Sequence, residues 1–369
     1  MRAAVSQPLA GAEPRLLRGP TLTRTTLVLG TGALALAAAV VAALAIGSVG
    51  VAPGDTLAIL ARRLLGLPLA ETWPATAETI VFDLRLPRVL TAALVGGGLA
   101  MSGAVFQALL RNPLADPYII GTAAGASLGA VLGIVGPALV PGLAIGLGSA
   151  WLGLGFIQVL AFAGGLGTVL LVYAVARTGG RTPVVTLLLT GYAVSAVLAA
   201  VVALLMFQSG RALAAVYSWL MGSLADASWA ELGFALPLLI LSFALLLARW
   251  RRLNLLLLGD AQAATLGVDV EREKLRLTML ATLATSAAVA ISGTIGFVGL
   301  VVPHLLRLVA GPDHRLLLPA SLLFGAALLV LADLGARLVG GVPVGIVTAL
   351  VGAPFFLYLL RRARVVVVA

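Results

Sequence analysis

The sequence predicts an all-α fold: a polytopic transmembrane helical bundle of about ten helices, both termini cytoplasmic. Three observations lead there. The mean hydropathy is +1.13, with 61% of the 369 residues hydrophobic and 10% charged, whereas a soluble domain is roughly 45–50% apolar and about 25% charged. The uncharged runs are long and continuous, as the ~20 residues needed to cross a bilayer core of ~30 Å require; barrel strands are short and alternate apolar with polar residues. Forty-three glycines supply the small residues that let membrane helices approach closely.

Residues 1–25, with Arg2, Arg15, Arg18 and Arg24 among prolines and glycines, read as a cytoplasmic N-terminal tail. Residues 26–369 are expected to form a single transmembrane domain. Span 1 covers 26–47. Its small residues "ALALAAA" would also suit a signal-peptide cleavage site, but the run is long enough to span and the rest of the chain is equally apolar. Residues 48–88 carry Asp55, Arg62, Arg63, Glu71, Glu78, Asp83, Arg85 and Arg88, which balance to zero, and are expected not to span. Span 2 (89–110) ends at "RNPLADP", whose two prolines break the helix. Spans 3, 4 and 5 cover 118–139, 151–176 and 184–207. A polar segment, 208–231, holds Arg211, Asp226 and Glu231. Span 6 (232–248) leads into a charged loop, 254–276. Span 7 (277–292) is followed by "SGTIGFVG", a turn by its glycines. Span 8 (299–310) is short, contains Pro303, and would alternatively be re-entrant. Spans 9 and 10 cover 316–337 and 343–360.

Charge asymmetry fixes the orientation. With the N-terminus inside, eighteen basic residues fall on the cytoplasmic side and six outside: Arg62, Arg63, Arg85, Arg88, Arg211 and Arg337. The formal charge of +10 is therefore read as helix flanking, not as a nucleic-acid surface. There are no cysteines and two histidines, His304 and His314, so no metal site is expected.

Gly121, Gly125, Gly129 and Gly133 lie four apart and share one helix face, predicting a packing groove. "AMSGAV" (100–105) echoes "AISGTI" (290–295) on helices of opposite direction, as inverted repeats in transporters do. Asp333 is the one acid well inside a span; it is either a proton relay or the partner of Arg337, four residues on. The only lysine is Lys274, in "EREKLR", so no P-loop exists, and no catalytic constellation is expected. Ten of the chain's 38 charged residues (24 basic, 14 acidic) lie between Arg249 and Arg276. Within that stretch "GDAQAATLG" predicts a short helix from Asp260 to Leu266, N-capped by Asp260 and bounded by Gly259 and Gly267. A short helix on a loop suits docking to a soluble partner.

Four stretches, "LRLPRVLTAALVGGGLAMSGAVFQALLRNPLADPYIIG" (84–121), "LGDAQAATLGV" (258–268), "GTIGFVGLVVPHLLRLVAGPDHRLLLPAS" (293–321) and "PVGIVTALVGAPFFLYLL" (343–360), resemble the membrane permeases of type II ABC importers for iron-siderophores, haem and vitamin B12. The resemblance implies a transport subunit, not an enzyme, in a prokaryotic cytoplasmic (inner) membrane. It implies a homodimer working by alternating access, two cytoplasmic ATPase subunits carrying ATP and Mg, an external or periplasmic substrate-binding protein, and no cofactor on this chain. Leu258, Gly259, Asp260, Ala261, Ala263, Ala264, Leu266 and Gly267 match the family's ATPase-coupling helix. Asn112 and Leu114 match the cytoplasmic gate. The second gate segment, often Ser/Thr-rich in the family, is here "RTPVVTLLLTG", with Val184 and Val185. Arg85, Arg88 and Arg337 match basic positions facing the binding protein. The rival reading is a proton-coupled secondary transporter using Asp333.

Overall fold

The computed structural model describes residues 21–47, 49–139 and 155–368. Most of the expected N-terminal tail and the first residues of span 4 lie outside them. Every regular element among the described residues is helical. α1 (Leu22–Ala45) starts where the Thr21 side chain accepts from Arg24 N–H. α2 (Pro53–Leu65) has proline in its first turn and ends at Gly66 with φ +66°. α3 (Ala75–Leu109) is one continuous helix with a wide π-helical stretch over Thr79–Arg85. Pro87 follows that stretch: it has no N–H to give, and Leu86 N–H reaches back to Val81 O, so the extra residue absorbs the proline.

α4 (Thr122–Leu139), α5 (Phe156–Ala176) and α6 (Val184–Gln208) follow. α7 (Leu213–Leu220) is short, and α8 (Trp229–Ala248) opens on a Ser228–Glu231 cap. α9 (Trp250–Leu257) and α10 (Asp260–Thr265) lead to α11 (Val270–Ser292), capped by the Asp269 side chain. α12 (Val298–Ala310), α13 (His314–Leu338) and α14 (Val344–Val368) complete the chain.

Among the described residues, seven helices (α1, α3, α5, α6, α8, α11 and α13) are long and apolar enough to cross a membrane. Three shorter apolar helices, Thr122–Gly136, Val298–Ala310 and Val344–Tyr358, stand where spans 3, 8 and 10 were expected. Four boundaries differ from the sequence expectation. α3 begins fourteen residues before 89 and takes in Glu78, Asp83, Arg85 and Arg88. The segment 48–88 holds the amphipathic α2, with Thr56 and Ile59 buried and Leu57, Leu64 and Leu65 exposed. The polar segment 208–231 holds α7. The end of the expected charged loop, 270–276, forms the first two turns of α11, because Asp269 caps the helix and Glu, Arg, Lys and Leu are all good helix formers.

α3 lies at the centre, packed by α11, α12 and α13, while α4 packs on α5. Two glycine contacts set these spacings. A β-carbon on Gly103 would collide with the backbone of Gly299, and one on Gly96 with that of Gly325. Backbones in direct contact gain dispersion energy that larger side chains would forbid.

Candidate functional site

The charged loop folds into a bracket. α9 is held by Asn254, whose amide N donates to Asp313 Oδ1 at 2.7 Å and whose Oδ1 accepts from His314 N–H at 2.9 Å. The base of α8 is tied to α11 by Arg249, which bonds both oxygens of Glu273 at 2.7 and 2.8 Å. α10 then stands out from the bracket. Its N-cap is Gly259, at φ +112°, not Asp260 as expected. Only glycine adopts that backbone cheaply, so Asp260 becomes the first helical residue. Its carboxylate is free to pair with Arg111 at the end of α3 and Lys274 on α11.

Leu258, Ala261, Ala264 and Leu266 are exposed, while Ala263 is fully buried against the protein's own body. Ala263 was expected at the partner surface; a six-residue helix has two faces, and this one points inward. Gly267 closes α10 with φ +81°.

The α3–α4 turn, 110–121, is fastened from several sides. Asn112 is exposed, and its Oδ1 accepts from Leu114 N–H at 3.0 Å. Gln107, fully buried, donates to Leu300 O at 3.1 Å. Tyr118 Oη donates to Ile295 O at 3.0 Å. Leu114 is half-buried. At the start of α6, Val184 lines a small cleft with Phe106, Tyr173 and Lys274, and Val185 is exposed. Sequence reading assigned no role to Gln107, Tyr118 and Asn254, which carry no charge and whose partners are distant in sequence.

The glycine ladder packs against α5. β-carbons on Gly125 and Gly129 would strike the backbone at Gly164 and Leu160, and one on Gly133 would meet Ile157. Gly121 precedes the helix, with φ +95°. Ser102 and Gly103 of "AMSGAV" pack on Ala281 and Gly299, whereas Gly293 and Ser292 of "AISGTI" meet the end of α7 at Trp219 and the α7–α8 link at Ser223.

The arginines expected to face an external protein are more internal than expected. Arg85 is only 6% exposed and donates to the carbonyls of Leu44 (2.7 Å), Ala45 (3.1 Å) and Val49. It closes the C-terminal end of α1, where carbonyls lack helical partners, and it is withdrawn from the surface. Arg88 bonds Asp333 bidentately at 2.8–3.1 Å. Arg337 reaches Asp333 at 3.3 Å and donates to Ala43 O at 2.9 Å. Asp333, 1% exposed, is thus clamped between two guanidinium groups. His304 lies half-buried on α12, and His314 is fully buried at the start of α13. Among the described residues no cluster of His, Asp and Glu is placed to hold a metal.

A glycine-packed bundle of apolar helices, carrying a short bracketed helix on a polar loop, is the build of a multi-pass membrane permease. The chain belongs to the FecCD transport family, whose model matches residues 35–362. It is 48% identical over 299 residues (81% of this chain, 78% of the relative) to a cobalamin import system permease of Halobacterium salinarum. It is 44% identical (81% and 90%) to a hemin transport system permease of Yersinia pestis, and 40% identical (80% and 90%) to an Fe(3+) dicitrate permease of Escherichia coli. A solved metal-chelate type ABC transporter in an inward-facing conformation matches with a TM-score of 0.76 and 34% identity, over 91% of this chain and 99% of that one. The chain is accordingly a permease subunit of the metal-chelate ABC importer family, a multi-pass protein of a prokaryotic inner membrane.

Proposed function

We propose that the chain forms, as a homodimer, the translocation pathway of an ATP-driven importer for a metal chelate of the iron-siderophore, haem or vitamin B12 class. The observation that carries this reading is α10, a short helix with exposed Leu258, Ala261, Ala264 and Leu266, set on a bracket of polar joints. Small and apolar side chains suit a protein contact in which backbones come close, and the bracket suits a part that must transmit force. Two cytoplasmic ATPase subunits would supply ATP and Mg, and their closure would displace α10. Asn112, Leu114, Val184 and Val185 would gate the cytoplasmic end, so that the pathway opens to one side at a time.

On the outer side, Arg88 and Arg337 face one Asp333. Their positive excess would receive an acidic group of a binding protein, since Arg–carboxylate pairs give orientation as well as attraction. Arg85 takes no part in that contact. The proton-relay reading of Asp333 loses support from the same geometry, because both carboxylate oxygens are already engaged by the two guanidinium groups.

The test is reconstitution. The chain alone should bind no nucleotide, and should co-purify with an ABC ATPase in equal number. In proteoliposomes with that ATPase and a binding protein, cobalamin, hemin and a ferric siderophore would be offered in turn. ATP-dependent uptake of one of them is expected. Uptake driven by a proton gradient without ATP, and abolished by Asp333→Asn, would overturn the reading.

A further inference from the structure

We propose that the Asp260 carboxylate is a branching joint, linking α10 to both gate-bearing elements, and that Arg111 is the positioning residue on the branch to the α3–α4 turn. The inference rests on the ATPase-docking reading of α10 and assigns its transmission to particular side chains.

The two oxygens of Asp260 are divided between partners. Oδ1 accepts from Arg111 Nη2, and Oδ2 from Lys274 Nζ. Arg111 is the residue before Asn112, so the first branch enters the α3–α4 turn directly. Its N–H bonds back to Ala108 O, and Asn112 N–H to Gln107 O, so the guanidinium is anchored to the turn's own root. The second branch runs through α11. Lys274 lies one helical turn from Glu271, whose Oε2 accepts from Thr182 N–H at 3.0 Å. Thr182 stands two residues before Val184, where α6 begins. Between them, Glu273 fastens α11 to Arg249 at the base of α8, giving the branch a fixed support.

The backbone at Arg111 is the independent sign that this contact has a purpose. Its φ is +48°, and among the described residues only Phe297 shares such a conformation without being glycine. A β-carbon is unfavourable there, and glycine is the ordinary residue for a helix end of this shape. Stability does not account for the arginine: the side chains of Arg111 and Asp260 are 46% and 48% exposed, and exposed ion pairs contribute little. What the arginine gains is reach, because the left-handed turn aims its side chain across to α10.

Spatial connection alone does not establish coupling, so the test reads both gates separately. The chain has no cysteine, which allows single spin labels at Leu114→Cys and Val185→Cys in the full permease–ATPase complex in lipid nanodiscs. The readout is the spectral change between the nucleotide-free and the ATP–vanadate states. Arg111→Gly should lose the change at Leu114, keep it at Val185, and melt no earlier than the parent, because glycine relaxes the backbone. Lys274→Gln should give the mirror image, and Asp260→Asn should lose both. Arg111→Lys, which keeps the charge, should restore the Leu114 response. A full Leu114 response in Arg111→Gly overturns the proposal, as does a loss accompanied by a lower melting temperature. If the labelled parent complexes show no nucleotide response at either site, the docking reading itself fails and this inference with it.

Discussion

Replacing Arg85 by alanine tests how deeply its guanidinium is held. The guanidinium holds the carbonyls of Leu44, Ala45 and Val49 and lies against Gly47, where even a β-carbon would meet it. A buried acceptor left without a partner costs ~1–3 kcal/mol, so the two buried carbonyls, of Leu44 and Ala45, set a ceiling of about 6 kcal/mol. Two effects reduce it. The variant no longer buries a cation, which recovers several kcal/mol, and the end of α1 is free to relax toward water. A net loss of about 2–4 kcal/mol remains, corresponding to a melting shift of roughly 3–5 °C for a chain of this size. The assay is thermal unfolding of the purified permease in detergent, with Arg88→Ala and Arg85→Lys alongside. Arg85→Ala should melt earlier and release α1 to protease first, and Arg85→Lys should recover part of the loss. An Arg85→Ala protein that melts like the parent while losing its binding protein would show that the guanidinium works at the surface, and the clamp argument would be wrong.

Asp333→Asn should destabilise the fold by about 3–5 kcal/mol, since it leaves Arg88 and Arg337 facing each other without a counter-charge; an unchanged detergent melt would refute the clamp. Leu at Gly125 or Gly129 should cost at least ~1–3 kcal/mol by overpacking against α5, and equal stability would mean that the α4–α5 contact opens in solution. Ala263→Arg should disturb the folded loop itself, whereas Ala264→Arg should leave the permease melt unchanged and weaken co-purification with an ATPase; reversal of that order would exchange the two faces of α10. Binding-protein association should weaken in Arg88→Glu and fall with salt in the parent, as the Debye length shortens from about 10 Å at 0.1 M to about 3 Å at 1 M; a salt-independent association would remove the electrostatic role.

Seven of the spans were legible because crossing a bilayer needs a long, continuous apolar run. The glycine groove was legible because a repeat of four maps onto one helix face. α2 was not, since the helix is short and its apolar residues are interrupted by Asp55, Arg62 and Arg63. Depth was not legible for Arg85: an arginine outside an apolar run looks exposed, and only the π-helical stretch before Pro87 and the return of α1 place it under cover. Asp260 was recognised as a helix-start residue, but a positive φ at Gly259 moved the cap back by one. The pairing of Asp260 with Arg111 spans 149 positions, and no local pattern reports on a contact of that range.

The glycine contacts limit how this protein can move. Where Gly103 meets Gly299 and Gly96 meets Gly325, carbonyls lie against α-carbons with no side chain between them. A helix seated that way cannot roll about its own axis or slide by a fraction of a turn without first lifting away from its neighbour. α3, α12 and α13 therefore behave as one slab, and α4 and α5, joined at Gly125, Gly129 and Gly164, as another. Between the slabs stands α11, which meets α3 through Ser102 and α5 through Ser286. α11 itself carries no glycine, so its seams with both slabs are made by side chains, not by backbone seated on backbone.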